Sequence, residues 1–225
     1  MNLVVTIFSA VHLEAKAVAA AIQAPIPAPE LPVHSIFENL KIIHHLIGLK
    51  GVGLGKTKVD PDTSYVLLAG VAGALDPSFS VGDVVMCDCP EDLARRIEIR
   101  RALVVTSETL VSTKAEKAAL FAASGAAVVD METSAVRKFA AERNLPFISL
   151  RSISDSANHS LDPKLVRLID QWGRAKPGEV WGFIWTNPLR LFSLTRLGRD
   201  SNRAARRLGK GVVTVLRAIG DSQAK

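Results

Sequence analysis

Two stretches, Val128-Val-Asp-Met-Glu132 and Phe147-Ile-Ser-Leu-Arg-Ser-Ile-Ser-Asp155, decide the fold class. Each begins as a short apolar run that is typical of a strand buried on both faces, and each ends in an acidic residue. Between them, residues 133–144 have helical spacing. A strand, a helix and a second strand in this order indicate a sheet on which helices pack.

The same alternation continues outward from these stretches. Further strands are predicted at 3–8, 66–69, 81–87 and 102–106, helices at 13–22 and 113–123, and a hairpin at 33–37 and 41–49 with Asn39 near its turn. A last helix of the domain is predicted after Asp162-Pro163, running to about Trp172. This order predicts an α/β fold, a three-layer αβα sandwich with a twisted mixed central sheet.

The charge of the chain is concentrated at one end. The 225 residues carry a net charge of +6, yet residues 171–225 hold eleven basic and three acidic side chains, so this part is +8 and residues 1–170 are −2. We therefore expect an α/β domain over 1–170 and a basic, amphipathic helical extension over 171–225. Aromatic residues of this extension cluster at Trp181, Phe183 and Trp185.

Several classes of protein are disfavoured by the sequence. No basic residue precedes the apolar start and no apolar run is long enough to cross a bilayer, so we expect neither a signal peptide nor a membrane span. Cys87 and Cys89 lack a second pair of ligands at metal spacing, and we expect no metal site and a reducing, cytoplasmic compartment. The stretch 51–57 resembles a phosphate-binding loop, but Lys50 stands where its first glycine is required.

Three acidic residues follow predicted strands: Glu14, Glu132 and Asp155. Ligands of open α/β sheets bind beyond the carboxyl ends of the strands, so the three side chains can converge on one pocket. The alternative is that Glu14 and Glu132 only begin helices, where a carboxylate is favoured by the helix dipole. The occurrence of all three acids in one specific context favours the pocket.

That context resembles a known family. Val129-Asp-Met-Glu-Thr-Ser-Ala135, followed by Asn144-Leu-Pro-Phe-Ile-Ser-Leu-Arg-Ser-Ile-Ser-Asp155, is similar to purine nucleoside phosphorylases and methylthioadenosine/S-adenosylhomocysteine nucleosidases. Leu68-Ala-Gly-Val-Ala-Gly-Ala-Leu75 and Ser9-Ala-Val-His-Leu-Glu14 are similar to their glycine loop and opening strand. The resemblance covers about three quarters of the chain and implies a nucleoside phosphorylase-like fold and cleavage of an N-glycosidic bond.

The resemblance also implies roles for individual residues. Asp155 would be the general acid that protonates N7 of a purine, and Glu14 would orient or deprotonate the attacking water. Glu132 would accept hydrogen bonds from the ribose 2′- and 3′-hydroxyls, and Met131 would pack against the sugar. The remaining substrate-binding positions implied are Leu110, Val111, Ser154, Gly70 and Val71. The implied enzyme needs no cofactor, although phosphate can serve as a co-substrate, and it is a homo-oligomer.

Some positions depart from the phosphorolytic pattern. Leu68 and Val71 flank Gly70 where an arginine and a hydroxyl residue are expected, which favours hydrolysis, although Gly53, Lys56 or a partner subunit could still supply an anion site. The helix that relatives carry after residues 51–55 is also much reduced. These departures leave open a different class of function, a non-catalytic nucleoside-binding or membrane-associated scaffold.

The extension over 171–225 indicates which adenine nucleoside is the implied substrate. Its segment 187–206 resembles that of hopanoid-associated nucleoside phosphorylases, which are implied to release adenine from adenosylhopane. Such a lipid-linked substrate would suit a basic, Trp-bearing segment on the inner membrane surface, whereas the alternative is ordinary C-terminal helices. No nucleic-acid-binding motif is present, and we expect no nucleic-acid partner.

Overall fold

The computed structural model describes residues 3–186 and 190–223. Within these residues, the strands are β1 Val4–Ser9, β2 Val33–Phe37, β3 Leu40–Leu46, β4 Thr63–Ala74, β5 Val84–Asp88, β6 Arg100–Arg101, β7 Val104–Thr106, β8 Val128–Asp130 and β9 Phe147–Asp155. The α-helices are α1 His12–Ala21, α2 Glu91–Ala94, α3 Lys114–Ser124, α4 Thr133–Ala141, α5 Pro177–Thr186 and α6 Arg190–Gly220.

The strands form one mixed sheet in the order β2-β3-β1-β4-β9-β5-β6. The central strands β3, β1, β4 and β9 run parallel to one another, whereas β2 pairs antiparallel with β3 on one side and β5 pairs antiparallel with β9 on the other. The long strand β4 extends beyond this row and pairs antiparallel with β8, which itself pairs with β7. The predicted α/β class with a mixed central sheet is confirmed.

Alternation along the central strands produces the layers. In β1, Val5 and Ile7 enter one apolar cluster with α1 and α6, whereas Phe8 enters another with Val136 and Phe139 of α4. Successive side chains of a strand point to opposite faces, so these two clusters lie on opposite sides of the sheet. The helices therefore cover both faces, as the three-layer prediction requires.

The second half of α6 is part of this core. Its side chains Leu208, Val212 and Leu216 are fully buried and lie in the same cluster as β1 and β4. Residues that the sequence analysis assigned to an extension thus cover one face of the sheet. At the start of the extension, Trp181 and Trp185 on α5 are 68% and 83% exposed.

The prediction of a helix that runs from Asp162 to about Trp172 is wrong. The structure has a 3₁₀ helix at Pro163–Leu168, after which Ile169 is extended and forms a bridge with Ala175. The Asp170 carboxylate accepts hydrogen bonds from the backbone N–H groups of Trp172 and Arg174. This side chain competes with a helix for backbone donors, which favours a turn.

Two other expectations concern short segments. The stretch around residues 51–55 forms two 3₁₀ turns, Leu49–Gly51 and Leu54–Lys56, and the chain enters β4 at Thr63 without a further helix, as the reduced helix predicts. Residues 187–189 of the tail motif lie outside the described residues. In the described part of the chain, no helix is long and apolar enough to cross a membrane.

Candidate functional site

A buried arginine lies at the centre of the site. Arg151, in the middle of β9, is fully buried, and its Nη2 pairs with the Asp130 carboxylate and donates to Thr133 Oγ1 at 3.0 Å. Burial opposes its charge, but Asp130, Glu132 and Glu14 raise the pKa of Arg151 above its usual value. A buried guanidinium requires such partners, so Arg151 draws acids from β8, α1 and the start of α4 together.

Glu14 is held rigidly in the first turn of α1. Its Oε2 accepts hydrogen bonds from the backbone N–H groups of Ala10 and Val11 at 2.9 and 3.0 Å, and its Oε1 accepts one from Val71 at 2.7 Å. Burial raises the pKa of Glu14, against the lowering effect of Arg151 and these donors. The carboxyl group is therefore both fixed in position and able to take up a proton more readily than an exposed one.

Glu132 immediately precedes α4 and faces the same arginine. Its Oε1 accepts a hydrogen bond of 3.0 Å from the backbone N–H of Lys50, in the first 3₁₀ turn. Burial raises the pKa of Glu132 to about 7, with Arg151 acting in the opposite direction and Glu14 adding to the rise. Lys50, which stands where a phosphate-binding loop would have its first glycine, thus holds a carboxylate through its backbone.

Gly70 allows these groups to approach the sheet. A Cβ atom at this position would overlap Arg151 Nη1 and would lie 3.0 Å from Glu14 Oε1. The guanidinium cannot withdraw, because its other amino group is bound to Asp130 and Thr133. The absence of a side chain at Gly70 is therefore a condition for the acid–arginine cluster.

Asp155 ends β9 and lies at the edge of a small cavity. Its Oδ1 accepts a hydrogen bond of 2.8 Å from Ser154 Oγ, and its Oδ2 pairs with the ammonium group of Lys117 on α3. The cavity has a volume of about 50 Å³. Its lining residues are Gly73, Thr109, Leu110, Val111, Val129, Asp130, Met131 and Asp155. Pockets that hold small ligands measure ~300–1,000 Å³, so a ligand of purine size requires this cavity to widen.

The arginine cluster and Asp155 lie along the same pair of strands. Gly70 pairs with Arg151, and Gly73 pairs with Asp155. Three residues of a strand span about 10 Å. An elongated ligand that lies along β4 and β9 can therefore reach Asp155 at one end and the cluster of Glu14 and Glu132 at the other.

The structure brings together the residues that the sequence indicated. Glu14, Val71, Gly70 and Glu132 surround Arg151, while the other members lie around the cavity: Leu110, Val111, Met131, Ser154 and Asp155. Roles for Arg151, for Lys117 and for the backbone of Lys50 were not predicted from the sequence. A charged residue inside an apolar strand was the available signal for Arg151. For Lys117, the signal was a lysine in the first turn of a helix, where the dipole disfavours a cation.

Comparison with known families finds a match to the middle part of the chain. Residues 90–178 match the family model described as Phosphorylase superfamily. This segment carries Lys117, Glu132, Arg151 and Asp155, whereas Glu14 and Gly70 precede it. Among curated proteins, no match to the chain is found.

Solved structures resemble the chain over nearly its whole length. The futalosine hydrolase of Helicobacter pylori strain 26695 is 16% identical with a TM-score of 0.69, covering 96% of this chain and 98% of that one. The 5′-methylthioadenosine/S-adenosylhomocysteine nucleosidase of the same species is 16% identical with a TM-score of 0.69, and the match covers 96% of this chain and 99% of that one. The corresponding nucleosidase of S. pneumoniae, solved with a transition-state inhibitor, is 15% identical with a TM-score of 0.72. The match covers 96% of this chain and 100% of that one. The chain has the fold of these nucleosidases.

Replacing Gly70 with alanine should destabilise the protein. The added Cβ would press on Arg151 and Glu14, which are both held by other partners, and overpacking of this kind costs about 1–3 kcal/mol. Urea unfolding measures the loss. The control is Gly55→Ala, because a Cβ at Gly55 meets no atom within 4 Å. Equal unfolding free energies for the two variants would contradict the close approach.

Burial of Glu132 should make stability depend on pH. Its pKa is about 7 in the folded chain, against its usual 4.5, so the folded state binds more protons between these values. The free energy of unfolding should therefore fall as pH rises from about 4.5 to 7. Glu132→Gln should flatten this decline, whereas the control Glu98→Gln, at an exposed position, should not. Unfolding curves at several pH values measure both, and an unchanged slope in Glu132→Gln would refute the assignment.

Proposed function

We propose that this protein cleaves the N-glycosidic bond of a 5′-substituted adenosine and releases adenine. The observation that carries the proposal is the placement of two buried acids, Glu14 and Glu132, about Arg151, with Asp155 further along the same strands. Breaking this bond leaves positive charge on the ribose and negative charge on the base. Carboxylates near the sugar and a proton donor near the base stabilise that distribution.

The residues divide between the two ends of the nucleoside. Asp155 protonates N7 of the purine within the cavity bordered by Leu110 and Val111, and Met131 packs against the sugar. Glu132 accepts hydrogen bonds from the ribose hydroxyls. The backbone separation of about 10 Å between Gly70 and Gly73 is of the order that a ribose and its base require.

Water is the nucleophile that this site favours. Three of about four acceptor positions on Glu14 are occupied by backbone donors, which leaves one for a water molecule. Three acids face one arginine, and such a cluster repels a phosphate anion. Lys56, a candidate for an anion site, instead forms an ion pair of 2.6 Å with Glu30 at the surface. We therefore propose hydrolysis, with phosphorolysis as the alternative.

We further propose that the 5′ substituent is a polycyclic lipid, as in adenosylhopane. Support comes from the exposed Trp181 and Trp185 on α5, beside a long basic helix. Indole rings favour the headgroup region, and arginines favour anionic lipids, so this face suits contact with the inner membrane surface. The alternatives are the sulfur-substituted adenosines named for the nucleosidases above, or purine nucleosides in general.

The first test is the release of adenine. The purified chain should release adenine from methylthioadenosine or adenosylhopane without added phosphate, with adenosylhopane preferred. Asp155→Asn should lower turnover about 100-fold or more, the scale of general acid catalysis, while the exposed control Asp62→Asn should not. No release from any adenosine derivative would refute the function, and a requirement for phosphate would refute hydrolysis.

The second test concerns the membrane surface. The chain should sediment with vesicles that contain anionic phospholipid, less so at high salt, because basic side chains supply part of the attraction. Trp181→Ser with Trp185→Ser should reduce binding, whereas Leu103→Ser, at a side chain that is also 68% exposed, should not. Point variants are required because truncation at residue 171 would remove α6 from the core. Equal sedimentation of all variants would contradict the membrane contact.

A further inference from the structure

Lys117 is a buried cation outside the arginine cluster. It lies in the first turn of α3, and its side chain is fully buried. Burying an unpaired ammonium group is very unfavourable, and the dipole of α3 adds to the cost at this position. A lysine here therefore requires compensation from specific partners.

Three oxygen atoms provide that compensation. Nζ of Lys117 pairs with Asp155 Oδ2 and donates to the carbonyl oxygens of Ser156 and His159 at 2.9 and 3.0 Å. An ammonium group has three protons, and each has one acceptor. The side chain is thus fully satisfied when it is charged and Asp155 is ionised.

The same three contacts also satisfy the neutral pair. If one proton moves from Nζ to Oδ2, the remaining two N–H bonds still reach the two carbonyl oxygens. The lone pair of the amine then accepts a hydrogen bond from the new carboxyl O–H, so no buried polar atom loses its partner. Ser154 Oγ donates to the other oxygen, Oδ1, at 2.8 Å and keeps the carboxyl group in place.

We propose that Lys117 is the proton-holding partner of Asp155. This role rests on the proposed function and extends it. As the C1′–N9 bond breaks, its electron pair enters the purine. The proton passes from Nζ to Asp155, an O–H bond forms and then breaks, and an N7–H bond forms. Adenine leaves neutral and Lys117 remains as an amine. Glu14 takes the proton released when water adds to the ribose and passes it to solvent, and a proton from solvent restores the ammonium group once the products have left.

Other charged groups face this pair. His159, on the segment after β9, has a pKa lowered first by burial and then by Arg196 and Lys117. Arg196 and Asp200 of α6 lie 3.7 Å apart and act on the same histidine. These groups contribute to the electrostatic field around the pair. Among the described residues, Lys117 is the one whose ammonium group contacts the Asp155 carboxylate.

The test separates proton supply from structural support. A 7-methyl adenosine derivative carries its positive charge already, so its base leaves neutral without protonation at N7. Lys117→Met should lower kcat about 100-fold or more on the parent nucleoside, with KM little changed. On the matching 7-methyl nucleoside it should retain turnover within a few-fold of the unsubstituted chain. The control is Lys114→Met, which removes an exposed lysine from the same helix turn.

A second variant keeps the proposal testable if Lys117→Met does not fold. Lys117→Arg keeps a positive charge and several donors, but a guanidinium does not release its proton. It should therefore show the same selective loss on the parent nucleoside. An equal loss on both nucleosides would assign Lys117 to structural support and overturn the proposal, as would full activity of either folded variant on the parent nucleoside.

A spectroscopic readout is independent of turnover. In nitrogen NMR of the free protein, replacing Asp155 with asparagine should move the Lys117 Nζ resonance, because the carboxylate that contacts this ammonium group is gone. An unchanged Lys117 resonance would overturn proton sharing even if the chain cleaved no nucleoside. If the unsubstituted chain cleaves neither nucleoside while this resonance shifts, the proposed function fails and the shared proton stands.

Discussion

The burial of Arg151 is the constraint on which the site depends. A guanidinium buried in the middle of the sheet requires carboxylates nearby. Asp130 pairs with it directly, and Glu132 and Glu14, from two other elements, stabilise its charge from a distance. Each acid is in turn desolvated, and burial raises the pKa values of Glu14 and Glu132. The proton affinity of the acids and the charge of the arginine are therefore set by the same contacts.

A second ion pair, Lys117 with Asp155, repeats this arrangement at the end of β9. Both pairs are buried, and both use a residue of β9. They differ in the cation. Arginine holds its proton permanently, which suits a fixed electrostatic centre, whereas lysine can give its proton away. One strand thus carries a permanent charge near the proposed sugar end and an exchangeable proton near the proposed base end.

Apolar periodicity predicted the fold class, and local motifs predicted much of the candidate site. Val128–Val129 and Phe147–Leu150 indicated buried strands, and the acid that follows each of them lies where the rule for α/β sheets expects it. Partners from distant segments were not predictable. The contact of Glu132 with the backbone of Lys50 joins residues 82 apart, and the contact of Lys117 with Asp155 joins residues 38 apart. The helix expected up to Trp172 failed because Asp170 binds the backbone instead.

The packing of α6 has a consequence for how the chain reaches its folded state. Val5 and Ile7 of β1 are buried against α6. The core therefore forms only when residues about 200 positions apart in the sequence come into contact. Contacts of such long sequence separation slow folding, because the ends must meet before burial repays the ordering of the chain. During synthesis, one face of the sheet would stay open to solvent until α6 had left the ribosome, which makes burial of the core in the nascent chain dependent on this helix.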